Sequence, residues 1–453
     1  MRDFTKGSIS KEILIFSVPM IIGNLFQQVY SLVDAIIVGR FVGGNALAAI
    51  GVSMTIIFFV TSVLMGITTG AAVLISQFYG AKQENRLKDT MSVSILFLIC
   101  LTVVITVLGV IFAPQFLRLL DTDVAFFYEA QTYLRIIIMG TVFTVFFNMY
   151  ASYLRALGDA KGPLYILIAV SLFNVVLTLM FVVVLRLGVA GAAVSTVISQ
   201  MMSLILCYIY ARRRAAILRV KRLLFDKELC GLIIKYGAPA ALQFSLVSLA
   251  SLIIMRLVNS FGASVTAGIT AATRIDGFAI MPVATISMAL STFVAQNMGA
   301  GDERRAHQGL KVSLIFMLAF NISLSVFLLR FGSQIISLFI DHDDAYAMEI
   351  ISIGQSYLNV IVAFYFLFTF LFAFNGFFRG AGDAVIAMAF PVVSLTIRTI
   401  SAYALVAFTD IGPVAIAWSI PIGWGISSIL SWIYYKKRLW VGKVAVKPVV
   451  EET

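Results

Sequence analysis

One carboxylate in this chain stands where a carboxylate is expensive. Asp34 lies inside SVPMIIGNLFQQVYSLVDAIIVGR, residues 17–40, whose other positions are mostly Leu, Ile, Val, Phe, Ala or Gly. Asn24, Gln27, Gln28, Ser31 and Asp34 recur at spacings of three and four, so they share one face of a helix. The stretch is long enough to cross a bilayer, where a charged side chain costs on the order of 3 kcal/mol or more. Such an acid must face protein or water. There it can bind a proton or a cation, or it can be a structural group satisfied by nearby hydroxyls and amides.

A cation partner would need more oxygens. Asn174 and Thr178 are four residues apart on one predicted helix, and Ala192 and Thr196 have the same spacing on the next. Asp34, Asn174, Thr178, Thr196 and a backbone carbonyl near Ala192 could together hold a hard cation. Asn174 and Thr196 could equally be packing residues that hydrogen-bond between helices. Arg256, Arg274, Asp276 and Arg398 are the other charges at membrane depth. Arg274 and Asp276 are two apart and point to different sides of a helix, so Asp276 is expected to neutralise Arg256 or Arg398 across the bundle. That arrangement is a structural ion pair or a second coupling site. An amphiphilic ligand would need an adaptable apolar wall, for which Gln27, Tyr30, Met54, Met149, Tyr150, Phe244, Met281 and Met288 are candidates beside ordinary packing.

These residues must be positioned by membrane helices. Of 453 residues, 61% are apolar and 12% charged, and the mean hydropathy is +1.01, which excludes a soluble domain. Twelve apolar segments run roughly 13–37, 46–79, 92–113, 133–153, 164–186, 190–211, 230–257, 267–297, 312–331, 354–377, 386–408 and 413–435. With the N-terminus inside, 25 of the 33 Lys and Arg fall in loops on that side, so both termini are expected in the cytoplasm. This clustering argues against nucleic acid as the partner of the +11 net charge. Three scattered cysteines form no disulfide framework or thiolate metal site, and His307 and His342 lie in polar loop stretches. A full-length span follows the N-terminal residues, so no removable signal peptide is read.

The chain also repeats. QFYGAKQENR at 77–86 answers QNMGAGDERR at 296–305, LRALGDA at 154–160 answers FRGAGDA at 378–384, and QTYL at 131–134 answers QSYL at 355–358. LGVAGAAVS at 187–195 answers IGPVAIAWS at 411–419, and Pro19 answers Pro239. The offsets of 219, 224, 224, 224 and 220 residues place six spans between equivalents, so the halves share one orientation. The expected fold is an all-α polytopic membrane protein of twelve transmembrane helices in two pseudo-symmetric six-helix bundles. Its divisions are an N-terminal bundle at 1–211, a basic cytoplasmic linker at 212–229 and a C-terminal bundle at 230–453. Asp159 and Asp383 in the two GDA motifs sit where helix N-caps belong, and Pro19 and Pro239 can bend their helices.

The combination of VYSLVDAIIVGRFVG, SQFYGA, LRALGDA, AATRIDGF, AQNMGAGDERR and FRGAGDA resembles the multidrug and toxic compound extrusion (MATE) transporters, and their MepA-like bacterial branch in particular. The resemblance covers nearly the whole chain. It implies efflux of amphiphilic, often cationic compounds from the bacterial plasma membrane in exchange for H⁺ or Na⁺, by alternating access of two lobes. It also implies an acid at Asp34 and an N-lobe cation site like the set above. The family's pattern has a second Asp where this chain has Thr178. Some relatives keep acids on the seventh and tenth helices, which this chain lacks, so coupling is expected in the N-terminal half.

No GxSxG, metal cluster or paired acid marks an enzyme, and no GxxxxGK[ST] loop marks ATP use, so an ion gradient must supply the energy. No cofactor is expected. The partners are small amphiphiles and the bilayer, and the chain is expected to act as a monomer. The rival reading is a flippase for lipid-linked saccharides or lipids from the same wider superfamily, whose cleft would need more cations than Arg256, Arg274 and Arg398.

Overall fold

A computed structural model describes residues 2–214, 216–220, 222–340 and 346–446. The described residues form thirteen α-helices and no strand: α1 Ile9–Phe41, α2 Gly44–Gly80, α3 Glu84–Leu119, α4 Phe127–Ala156, α5 Lys161–Thr178, α6 Gly188–Arg214, α7 Lys227–Asn259, α8 Ala263–Gly299, α9 Glu303–Ser337, α10 Ala347–Ala363, α11 Tyr365–Gly380, α12 Ala384–Phe408 and α13 Val414–Lys436. Eleven spans are long and apolar enough to cross a membrane, and α10 with α11 supplies a twelfth as one bent pair. The helices run beyond the predicted apolar cores at most ends, because amphipathic turns extend them into the polar loops.

The tenth span departs from expectation. Residues 354–377 read as one continuous apolar run, yet the helix bends by 52° between α10 and α11. Phe364 leaves helical geometry at φ −112°, ψ 13°, and Phe364 N–H and Leu367 N–H bond three residues back to Ile361 and Phe364 carbonyls at 3.0 and 2.9 Å. The Phe364 ring packs against Trp418 at 5.7 Å. The fifth span also changes pitch: directly after Thr178 it becomes a π-turn over Leu179–Val184, the kind of widening found at functional sites.

The chain divides into two compact units. One comprises residues 1–6, 15–244 and 445–453, the other 7–14 and 245–444. The sequence reading divides the lobes at the linker 212–229, whereas this contact boundary falls inside α7. Its first half packs within unit 1, where a methyl group on Gly70 of α2 would overlap the backbone of Gly237. Small residues at such crossings let membrane helices approach closely. In unit 2 the same device joins α11 to α8, with Gly376 against the Ser287 carbonyl.

Both GDA motifs cap helices. The Asp159 carboxylate accepts from Lys161 and Gly162 N–H at 3.1 and 3.0 Å and from the Tyr210 hydroxyl at 2.9 Å. Asp383 accepts from Ile386 N–H at 3.4 Å and from the Tyr434 hydroxyl at 2.6 Å. His307 is not in a loop; it lies on the first turns of α9. His342 lies outside the described residues.

Candidate ion-coupling site

Asp34 sits more than halfway along α1, and it is partly buried. The α5 residues Asn174 and Thr178 face it, with 2% and 1% exposure. The Thr178 hydroxyl is near enough to act on the carboxylate. Ile37, Val182 and Val189, with the partly buried Val33 and Val175, form an apolar cluster on α1, the fifth span and α6.

The Asn174 amide is satisfied with its nitrogen toward Asp34. Its Nδ2 donates to Asp34 Oδ1 and Oδ2 at 3.2 and 2.9 Å, and its Oδ1 accepts from Ser199 Oγ at 3.0 Å. The Ser199 hydroxyl also lies 2.8 Å from the Ser195 carbonyl. The Thr178 and Ser195 hydroxyls share a hydrogen bond of 2.9 Å.

Ser195 and Ser199 were not among the expected ligands, although they continue the Ala192 face of α6 at three and seven residues. The Ala192 carbonyl, expected as a cation ligand, accepts from both the Ser195 and Thr196 hydroxyls at 2.9 Å. Both of its lone pairs are thereby engaged. Thr196 turns to that carbonyl rather than to Asp34.

A cavity of about 70 Å³ adjoins the site, lined by Gln27, Tyr30, Asn148, Asn174, Thr196 and Ser199 among others. Drug-sized ligands need roughly 300–1,000 Å³. The space suits a few waters or an ion, so Gln27 and Tyr30 line an ion-sized chamber.

Unit 2 holds the second constellation. The Tyr365 hydroxyl donates to Asp276 Oδ1 at 2.8 Å, and Arg398 lies near enough to act on both Asp276 and Tyr357. The expected pairing with Arg256 does not form: Arg256 and Arg274 are exposed, and among the described residues no ion pair within 4 Å involves Asp276. Arg274 instead lines a cavity of about 570 Å³ with Asn259, Thr266 and Thr270. Tyr365 was not anticipated, because 89 residues separate it from Asp276.

The candidate substrate residues scatter. Met149 is 0% exposed, so it is core packing and not a cleft wall. Tyr150 stands edge-on to Tyr208 at 5.6 Å in a basic cavity at the end of α6. Met54 and Met288 are 48% and 42% exposed. Phe244 and Met281 are partly buried.

The family model MatE matches residues 19–180 and 239–404. The chain belongs to the MatE family. Each match begins at one of the repeat-related prolines, Pro19 and Pro239, so the family's unit is the half that occurs twice here. The first match includes Asp34, Asn174 and Thr178, and the second includes Asp276, Tyr365 and Arg398. MatE is a family of transporters. Among its relatives, the chain is 30% identical over 439 residues, 97% of each chain, to "Probable multidrug resistance protein YpnP" of Bacillus subtilis. It is 23% identical, over 87% of each chain, to the multidrug export protein MepA of Staphylococcus saprophyticus. A solved structure of an outward-facing multidrug resistance MATE transporter superimposes with a TM-score of 0.89 at 24% identity, covering 96% of this chain and 97% of that one. This likeness shows that the MatE chain has the MATE fold.

Proposed function

We propose that this MatE chain is a secondary active antiporter that exports amphiphilic, often cationic compounds, driven by cation entry and working by alternating access of two lobes. The observation that carries the reading is the carboxylate of Asp34 at membrane depth, met by the Asn174 amide and by neutral hydroxyls. An ionised Asp34 accepts two N–H bonds from Asn174 Nδ2. Among the described residues no ion pair holds Asp34, so protonating it strands no buried cation.

The same geometry favours H⁺ over Na⁺ as the coupling ion. A sodium ion wants several oxygens, but Asn174 offers its NH₂ to an ionised Asp34. The Ala192 carbonyl is occupied by two hydroxyls. Thr178 takes the place of a second carboxylate. Export of drugs is supported by the multidrug relatives. Both termini in the cytoplasm of a bacterial plasma membrane is supported by the distribution of Lys and Arg.

The test is uptake of a fluorescent cationic dye into vesicles carrying the purified chain, with a proton or a sodium gradient imposed alone. The expected result is uptake driven by the proton gradient and lost in Asp34→Asn. Uptake unchanged in Asp34→Asn contradicts the site assignment. Movement of a lipid-linked sugar in place of the dye supports the flippase.

A further inference from the structure

The short connection between α6 and α7 builds a second polar site in unit 1. A cavity of about 210 Å³ is lined by Tyr150, Tyr208, Arg212, Arg219 and Arg222 with an apolar rim that includes Leu223. Arg212 Nη1 donates to the Tyr208 hydroxyl at 3.0 Å, and its guanidinium lies 5.5 Å from the ring centroid. Arg219 Nε donates to the Arg212 carbonyl at 2.9 Å, which holds the side chain and leaves its outer nitrogens open. The connection is pinned to α3 by one serine: Ser92 Oγ donates to the Arg222 carbonyl at 2.7 Å and accepts from Leu224 N–H at 2.6 Å.

The charges around this cavity are unbalanced. The nearby acids Asp226 and Glu228 turn to Arg86, at 3.9 and 3.6 Å. Among the described residues no carboxylate comes within 4 Å of Arg212, Arg219 or Arg222. Three guanidiniums gathered around one space repel each other unless an anion joins them. Their planar forks match a tetrahedral oxyanion, and the tyrosine hydroxyl adds a neutral donor.

We propose that this cavity binds an anion carrying a phosphate group, either the headgroup of an anionic phospholipid or a soluble phosphate. The exposed Leu223 on the rim favours the phospholipid, since basic pockets beside membrane helices recognise such headgroups. The site is separate from Asp34 and does not depend on the efflux reading.

The test uses the full chain purified in detergent. Native mass spectrometry records retention of phosphatidylglycerol against phosphatidylcholine, and equilibrium dialysis with labelled inorganic phosphate tests the soluble source. The variant is Arg212→Gln/Arg219→Gln/Arg222→Gln. Its control, Arg213→Gln/Arg304→Gln/Lys311→Gln, removes the same charge from exposed positions outside the cavity. Arg222→Gln alone serves if the triple variant is not monodisperse. The expected result is retention of phosphatidylglycerol by the parent and the control, and roughly tenfold weaker retention in the variant. Binding of inorganic phosphate with the same arginine dependence, but without lipid retention, assigns the soluble source and upholds the phosphate site. Equal retention in variant and control, or binding of neither anion, overturns it.

Discussion

At the repeat offset of 224 residues, Tyr133 answers Tyr357 and Asn174 answers Arg398; at the offset of 220, Asp34 answers Ile254. The two units therefore keep one frame and fill it differently. In unit 1 an acid on the first helix meets an amide and hydroxyls, all neutral. In unit 2 the acid's position is apolar, the amide's position holds an arginine, and a carboxylate arrives from α8 as Asp276, bonded by Tyr365. Neutral partners leave Asp34 able to change charge. Asp276 has a permanent cation nearby, so neutralising it leaves Arg398 uncompensated. The helix caps did not diverge: Asp159 with Tyr210 and Asp383 with Tyr434 make the same pair of contacts in both units. Each unit closes its helix ends in the same way, but only unit 1 has an acid at the Asp34 position of its first helix.

The largest effect should come from exchanging the two acids' roles. Asp34→Asn is expected to reduce gradient-driven dye uptake to the level of protein-free vesicles, while Asp276→Asn retains uptake. Loss in both, with both folded, would make the units functional equals. A second carboxylate should change ion choice: Thr178→Asp adds negative charge beside Asp34 and is expected to raise sodium-driven uptake roughly tenfold, since site charge tunes cation affinity. A sodium response no greater than the parent's would show that Thr178 does not set selectivity.

Smaller effects test the frame itself. Tyr365→Phe removes a hydrogen bond to a charged group and should cost about 1.5–3 kcal/mol, read as a lower Tm in detergent. Asp276→Asn should also lower Tm, and adding Arg398→Gln should restore part of the loss by removing the stranded cation. Asp159→Ala and Asp383→Ala should each cost about 1 kcal/mol. Equal costs would support the equivalence of the caps; a clear inequality would break it.

The sequence carries the twelve spans, the repeat and the shared face of Asn174 and Thr178, because long apolar runs and four-residue spacing leave direct marks. That this face joins Asp34 in one site is what the MATE resemblance implies. The bend at Phe364 is hidden, since neither proline nor glycine interrupts its aromatic run. Ser195 and Ser199 escape notice because mid-helix serines usually bond their own backbone, as Ser199 also does here at 2.8 Å. Met149 and Tyr150 are neighbours, yet one is sealed in the core and the other opens on the basic cavity. Hydropathy alone cannot distinguish those two sides of an apolar helix. The pairing of Asp276 with Tyr365 depends on tertiary contact across 89 residues, for which spacing gives no signal.

The most direct measurement is proton release when a cationic dye is added to the purified chain in weakly buffered detergent solution. The account predicts that the parent and Asp276→Asn release protons and that Asp34→Asn, binding dye, releases none. Undiminished release from Asp34→Asn, or its loss in a folded, dye-binding Asp276→Asn alone, would contradict it.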